Sequence, residues 1–117
     1  MMSQATIYTI GYGNRTIEAF IKLLISYEIE YLIDIRSIPH SRNNPAFSDK
    51  QLARWLKRDH IQYVYMGDGL GGRPVDPSCY NPDGTVNYDK CAATPNYQTA
   101  IKRLRDAWEQ NRRVALM

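Results

Sequence analysis

The chain has 117 residues, which predicts one small domain because a single core typically organises about 100 to 200 residues. Its composition, 44% hydrophobic and 23% charged with seven Gly and six Pro, excludes disordered, collagenous and coiled-coil chains. No apolar run approaches the roughly 18 to 20 residues of a membrane span, and the start lacks a signal-peptide pattern. The two cysteines are too few for a disulfide scaffold, so we expect a cytoplasmic protein without a membrane partner.

Positive charge is concentrated in residues 36–73, although the formal net charge of the whole chain is only +3. That segment carries seven Lys and Arg against three Asp, a balance of +4, which leaves −1 for the remainder. A local excess of this kind attracts anionic ligands, but a basic helix face is also common where its side chains are merely solvated. The charge pattern therefore indicates an anion without identifying it.

The first part of the chain alternates strand and helix patterns. β-Branched and aromatic residues at 5–10 predict a strand that ends at a glycine-containing turn, 11–14. Thr16 is placed to cap a following helix, and a second, mostly apolar strand is predicted at 30–36. The predicted buried stripe of that helix comprises Ile17, Phe20, Ile21, Leu24 and Ile25.

The alternation continues after a proline-containing loop at 37–47. Ser48 and Gln51 match a capping box that opens a second helix, and residues 62–66 indicate a third strand. The predicted stripe of this helix comprises Leu52, Trp55 and Leu56. Residues 67–94 are rich in Gly, Pro, Asn and Asp, which predicts a long loop or insertion with a functional role.

The end of the chain completes an α/β pattern. Thr94 and Pro95 begin a third helix, and the apolar residues 114–117 indicate a fourth strand. The predicted stripe of the third helix comprises Tyr97, Ala100, Ile101, Leu104 and Trp108. Alternating strands and helices predict parallel β-α-β units. We expect a single three-layer α/β domain over residues 1–117, with about four parallel strands and three helices on both faces of the sheet.

Three motifs fall at the carboxyl ends of the predicted strands, where open parallel sheets usually bind ligands. The first is the turn Gly11-Tyr12-Gly13-Asn14-Arg15, whose glycines permit close backbone approach and whose following helix offers free N–H groups to an anion. It lacks the third glycine of a dinucleotide fingerprint and the lysine of a P-loop. A tight turn with nothing bound is an equally good interpretation.

The second motif follows the second strand and contains Asp34, Arg36 and Ser37, with Arg42 further along the loop. Strand alternation places Asp34 and Arg36 on the same side, where the carboxylate can orient the guanidinium toward a phosphate or carboxylate. The alternative is a buried ion pair that only fixes the loop.

The third motif begins at Tyr65 and has four glycines within residues 67–72, followed by Arg73. Gly71 and Gly72 are interpreted as a backbone cradle for an anion, which Arg73 would cover. The alternative is a flexible turn that leads into the insertion.

Together the motifs predict a pocket for a small anionic or phosphorylated, nucleotide-like ligand. The predicted ligand-binding residues are Gly11, Tyr12, Gly13, Asn14, Arg15, Asp34, Arg36, Ser37, Arg42, Tyr65, Gly71, Gly72 and Arg73. No cofactor is indicated, and Cys79 and Cys91 lack a nearby His or Cys for a zinc site. The competing hypothesis is a non-catalytic module that binds nucleic acid or a protein through the second helix. Successive phosphates of a nucleic acid would be contacted by Lys50, Arg54, Lys57 and Arg58.

Several segments resemble the domain-of-unknown-function 488 (DUF488) family. The resemblance is carried by residues 9–14, 32–39, 41–42, 44–45, 47, 61–63 and 70–74. It is specific across residues 6–74, looser across 95–117, and not diagnostic between them. It implies an uncharacterised α/β protein whose reaction is unknown.

Members of that family usually continue after a strand like 114–117 with a Cys-x-Glu segment and a Cys-His-Arg motif. The resemblance implies that the thiol, carboxylate and imidazole of the family's site lie beyond Met117, since Cys79 and Cys91 do not occupy those positions. We therefore expect the sequence to stop short of a full family member and to retain an anion-binding half. A sheet edge exposed by a missing strand would favour a homodimer.

Overall fold

The computed structural model describes residues 7–72 and 77–117 and has the predicted α/β architecture. The strands are β1 (Ile7–Thr9), β2 (Tyr31–Asp34), β3 (Gln62–Tyr65) and β4 (Val114–Leu116). The α-helices are α1 (Ile17–Ser26), α2 (Asp49–Arg58), α3 (Gly67–Leu70), α4 (Tyr88–Ala92) and α5 (Pro95–Glu109), and two 3-10 helices span Pro45–Phe47 and Pro77–Cys79. None of the helices within these ranges has the length and hydropathy that crossing a lipid bilayer requires.

All four strands are parallel, in the order β1-β4-β2-β3. The last strand therefore lies between the first two, with Val114 in register with both Ile7 and Tyr31. Beyond β4, the Met117 N–H donates to the Ile33 carbonyl, and the Met117 carbonyl accepts from the Ile35 N–H. The turn after β1 and the loop after β2 consequently meet at the same edge of the sheet.

Two hydrophobic clusters cover the two faces of the sheet, which confirms the predicted three layers. On one face, α1 and α2 pack against β2, and Phe20, Leu52 and Leu32 are fully buried. On the other face, α5 packs through Ala100 against Val114 and neighbouring residues. The two central strands, β2 and β4, are largely buried from both sides, as their nearly continuous apolar sequences indicate, whereas the edge strands β1 and β3 are partly exposed.

The helix starts agree with the predicted positions, but one cap differs in its hydrogen bond. Thr16 and Thr94 accept from the N–H groups of Ala19 and Tyr97, at 3.1 and 3.4 Å. Ser48 is the N-cap of α2, yet its hydroxyl makes no cap hydrogen bond and instead accepts from the Ser41 N–H at 3.0 Å. The predicted capping box is therefore wrong, because this hydroxyl ties down the preceding loop.

Two residues of the predicted buried stripes are exposed. Ile25 is 48% exposed because it lies about 80° around α1 from Ile17, at the margin of the stripe. Trp108 is 39% exposed and lines an open apolar depression with Ile7, beside the edge strand β1. At this edge, the described part of the chain offers no further strand to cover the end of α5.

The segment predicted as a long loop contains more structure than its composition suggests. It holds α3, α4, a 3-10 helix and an antiparallel bridge between Tyr80 and Val86. Gly67 and Gly69 are buried in α3. A Cβ at Gly69 would lie 2.6 Å from the Asn96 carbonyl oxygen of α5. The glycine therefore permits α3 and α5 to pack closely, which is a role in the core.

Candidate anion-binding site

The carboxylate of Asp34, at the end of β2, is the centre of the site and is fully buried. Oδ1 accepts from the backbone N–H and Nε of Arg36, at 3.1 and 2.9 Å. Oδ2 accepts from Nη2 of Arg36 at 2.8 Å and from the Tyr63 hydroxyl at 2.6 Å. This bidentate geometry satisfies the buried charge and holds the guanidinium in one orientation.

The guanidinium of Arg36 uses only part of its hydrogen-bonding capacity within the described residues. Nη2 also donates to the Phe47 carbonyl at 2.7 Å, and the side chain is only 16% exposed. Nη1 is buried and has no hydrogen-bond partner among the residues that the structure describes. Burial lowers the pKa of Arg36, but the hydrogen bonds and charge of Asp34, with smaller contributions from Tyr12, outweigh it and raise the pKa above its ordinary value. Arg36 therefore remains a cation, and its Nη1 is a donor without a hydrogen-bond partner in the described part of the chain.

Two tyrosines of β3 line the site beside Asp34. Burial raises the pKa of Tyr63, and the hydrogen bond to Asp34 and its negative charge raise it further. The Tyr65 hydroxyl donates to the Ser37 carbonyl at 3.0 Å, and its pKa is raised by burial and then by the charges of Asp34 and Asp68. Both hydroxyls therefore stay protonated and act as donors.

The turn after β1 is docked onto the loop after β2. The Tyr12 ring stacks on Phe47, with centroids 4.6 Å apart and an interplanar angle of 15°. The same ring lies 5.7 Å from the guanidinium carbon of Arg36. Asn44 Nδ2 donates to the Arg15 carbonyl at 3.3 Å. The structure thus brings the first two predicted motifs into contact.

The turn after β1 is open to solvent. Residues 11–15 line an open concavity of about 480 Å³, and Gly13 has a φ of +46°, a conformation that favours glycine. The Arg15 backbone N–H donates to the Tyr12 carbonyl at 2.7 Å, while its Nε donates to the Gly11 carbonyl at 3.2 Å. Arg15 and Arg42 are both exposed, and so is Asn14. Cationic groups therefore lie at the surface on both loops.

The third motif meets the site through packing. A Cβ at Gly67 would overlap the Arg36 carbonyl oxygen, and one at Gly71 would overlap Ser37 Oγ and the Gly67 carbonyl oxygen. Gly72 is exposed, and a Cβ there would have no atom within 4 Å among the residues that the structure describes. The glycines let α3 approach the backbone of Arg36 and Ser37, a role that the loop interpretation did not include. Arg73 lies outside the described residues.

Sequence reasoning missed Tyr63 and Phe47 as members of the site. Tyr63 belongs to β3 and is paired in register with Leu32, two residues before Asp34. That pairing brings its hydroxyl to the carboxylate, but it becomes visible only when β2 and β3 are aligned. Phe47 contributes a backbone carbonyl, for which side-chain chemistry gives no signal.

Comparison with known proteins finds one family. Residues 16–117 match the family model described as "Domain of unknown function DUF488". This range covers most of the chain and includes Asp34, Arg36 and Tyr63, whereas the turn at 11–15 lies just before it. No curated protein and no solved structure matches the chain.

Proposed function

The chain belongs to the DUF488 family, whose description assigns no activity, and from the site alone we propose that it binds a small anionic ligand. The ligand would be a phosphorylated or nucleotide-like molecule at the carboxyl ends of β1 and β2. The observation that carries the proposal is Nη1 of Arg36, a buried cationic donor without a partner in the described residues. An unpaired buried donor costs about 1–3 kcal/mol, and a ligand oxygen would remove that cost.

Access to this donor involves Tyr12. Its half-buried ring lies against the guanidinium of Arg36. Gly11 and Gly13 flank it, and the wide range of backbone conformations open to glycine permits this turn to change shape and the ring to shift. We propose that the ligand displaces the Tyr12 ring and takes its place beside Nη1.

The attraction for an anion comes from the neighbouring residues, since Asp34 neutralises the charge of Arg36. Arg15 and Arg42 are exposed cations on the two loops that meet at the site. The positive end of the α1 dipole, which begins after Thr16, adds to the same field. These charges would draw a phosphate to the edge where Arg36 can bind it.

The test is ligand-induced thermal stabilisation with inorganic phosphate and with a nucleoside monophosphate. We expect saturable stabilisation of the wild type, equivalent to about 2.7 kcal/mol at 100 times Kd. The double variant Arg15→Ala/Arg42→Ala should lose most of this ligand-induced stabilisation. Arg103→Ala/Arg105→Ala removes two exposed arginines of α5, on the other face of the sheet, and should retain it.

Equal stabilisation of both double variants, or none in the wild type, would refute the proposal. Arg36→Ala is unsuitable for this test, because it leaves the buried Asp34 carboxylate without its cation and destabilises the fold itself.

A further inference from the structure

One face of α2 carries a row of exposed cations, Lys50, Arg54, Lys57 and Arg58. Lys50, Arg54 and Arg58 follow one another at intervals of four residues, so their Cα atoms are about 6 Å apart along the helix axis. Lys57 lies three residues after Arg54 and widens the row. The ion pairs formed within the described ranges involve other side chains.

Little negative charge lies within this helix. Asp49, in its first turn, is the acidic residue of α2, and one Asp against four cations gives +3. The Asp49 carboxylate lies 3.9 Å from Nδ1 of His40, on the preceding loop. The C-cap residue Asp59 follows the last cation. The row therefore presents a net positive surface along about 12 Å of helix.

The apolar side of α2 is already used by the core. Leu52 and Leu56 are fully buried, and Trp55 packs against the same cluster. A helix that binds a lipid surface needs an apolar face to insert, and the exposed face of α2 carries polar side chains. The row therefore suits a polyanion in water better than a membrane.

The Arg58 side chain is held in place by Trp55. Its guanidinium carbon lies 4.8 Å from the centre of the Trp55 ring, within the range of a cation–π contact. A guanidinium restrained in this way loses less freedom when it binds a phosphate, and its planar donors match two phosphate oxygens.

We propose that this face of α2 contacts the phosphate backbone of single-stranded nucleic acid, independently of base sequence. A single row of charges can follow one strand, whereas α2 packs against the domain and does not project as a helix that enters a groove. The proposal goes beyond the small-ligand site and uses none of its residues.

The experiment measures the affinity of a fluorescent 20-mer of thymidylate by anisotropy at 50 and 200 mM salt. If all four cations contact phosphates, the wild type should lose affinity roughly 50-fold between these concentrations, because the logarithmic slope is about −0.7 per contact. Arg54→Gln/Arg58→Gln should bind more weakly and lose only roughly sevenfold. Arg103→Gln/Arg105→Gln changes the net charge equally on α5 and should behave as the wild type.

Equal binding by the α2 and α5 variants, no binding by the wild type at 50 mM salt, or tighter binding to vesicles with 30% phosphatidylserine would overturn the proposal. If the melting temperatures of both variants equal that of the wild type, weaker binding by the α2 variant is not caused by a loss of folding. The Arg15→Ala/Arg42→Ala variant should still bind the oligonucleotide. Either proposal, this one or the small-ligand site, can therefore be refuted without refuting the other.

Discussion

Arg36 donates through Nε and Nη2 to the two carboxylate oxygens of Asp34, over 2.9 and 2.8 Å, although the residues are only two positions apart. Asp34 is fully buried, so this pair supplies the counter-charge that its burial requires. The same guanidinium bonds the Phe47 carbonyl. The pair therefore joins the end of β2 to the loop before α2 and fixes the edge of the sheet.

Asp34→Asn should destabilise the protein by about 3–5 kcal/mol, because it leaves a mostly buried cation without its partner. Chemical denaturation followed by circular dichroism measures the free energy of unfolding. Asp106→Asn, at an exposed position of α5, is the control and should change it by less than about 0.5 kcal/mol. Similar values for the two variants would contradict a structural role of the ion pair.

Tyr63→Phe removes the hydroxyl that donates to Asp34 at 2.6 Å and leaves the ring in place. Since this hydrogen bond has a charged acceptor, we expect a loss of about 1.5–3 kcal/mol in the free energy of unfolding. Tyr88→Phe, at a position that is 76% exposed, should have no measurable effect. If Tyr63→Phe left the free energy of unfolding unchanged, the hydroxyl would not stabilise Asp34 as described, because another donor would replace it.

The stability of the protein should fall in alkaline solution. The pKa of Tyr63 is raised above its ordinary value of 10.0, so the unfolded chain loses this proton at a lower pH than the folded chain does. The contribution of the protonated Tyr63 to stability is therefore complete below about pH 10 and is lost as the pH rises further. Tyr65 contributes in the same direction. Urea unfolding between pH 8 and 11 should show that the free energy of unfolding declines less with pH in Tyr63→Phe than in the wild type. An equal decline in the two proteins would be inconsistent with this assignment.

Gly71→Ala and Gly72→Ala form a matched pair at adjacent positions. A Cβ at Gly71 would overlap Ser37 Oγ and the Gly67 carbonyl oxygen, whereas one at Gly72 would have no atom of the described residues within 4 Å. We expect Gly71→Ala to destabilise by about 1–3 kcal/mol and Gly72→Ala to be close to neutral. Thermal unfolding of the two variants provides the comparison, and equal melting temperatures would show that α3 does not pack closely here.

A homodimer remains a prediction, and we propose β1 as its interface. β1 is an edge strand of the described sheet, with Ile7 37% exposed and Trp108 of α5 39% exposed beside it. Exposed edge strands of this kind pair readily with other chains. Sedimentation velocity should show concentration-dependent dimers that Ile7→Lys abolishes. A monomer at every concentration would reject the prediction.

The sequence predicted those features that depend on neighbours along the chain. Strand alternation was sufficient to place Asp34 and Arg36 together, and local capping chemistry located Thr16 and Thr94. Features that depend on distant contacts were missed. The hydrogen bond from Tyr63 to Asp34 depends on the register of β2 with β3. The Ser48 hydroxyl accepts from the Ser41 N–H and not from an N–H group of α2.

The glycines of the third motif illustrate the same limit. Their composition suggested a loop, because glycine favours turns in the absence of other information. Gly69 instead meets the backbone of α5, a partner almost thirty positions further along the chain. Only the packed structure distinguishes a glycine that permits flexibility from one that permits close contact.

The most direct measurement of the central proposal is a titration of ¹⁵N-labelled protein with inorganic phosphate, followed by two-dimensional NMR. We expect saturable shift changes at the backbone amides of residues 11–15 and at the Nε–H of Arg36, with a common Kd. Shifts that are confined to α2, that grow linearly without saturation, or that leave residues 11–15 and Arg36 unchanged would contradict an anion site at the carboxyl ends of β1 and β2.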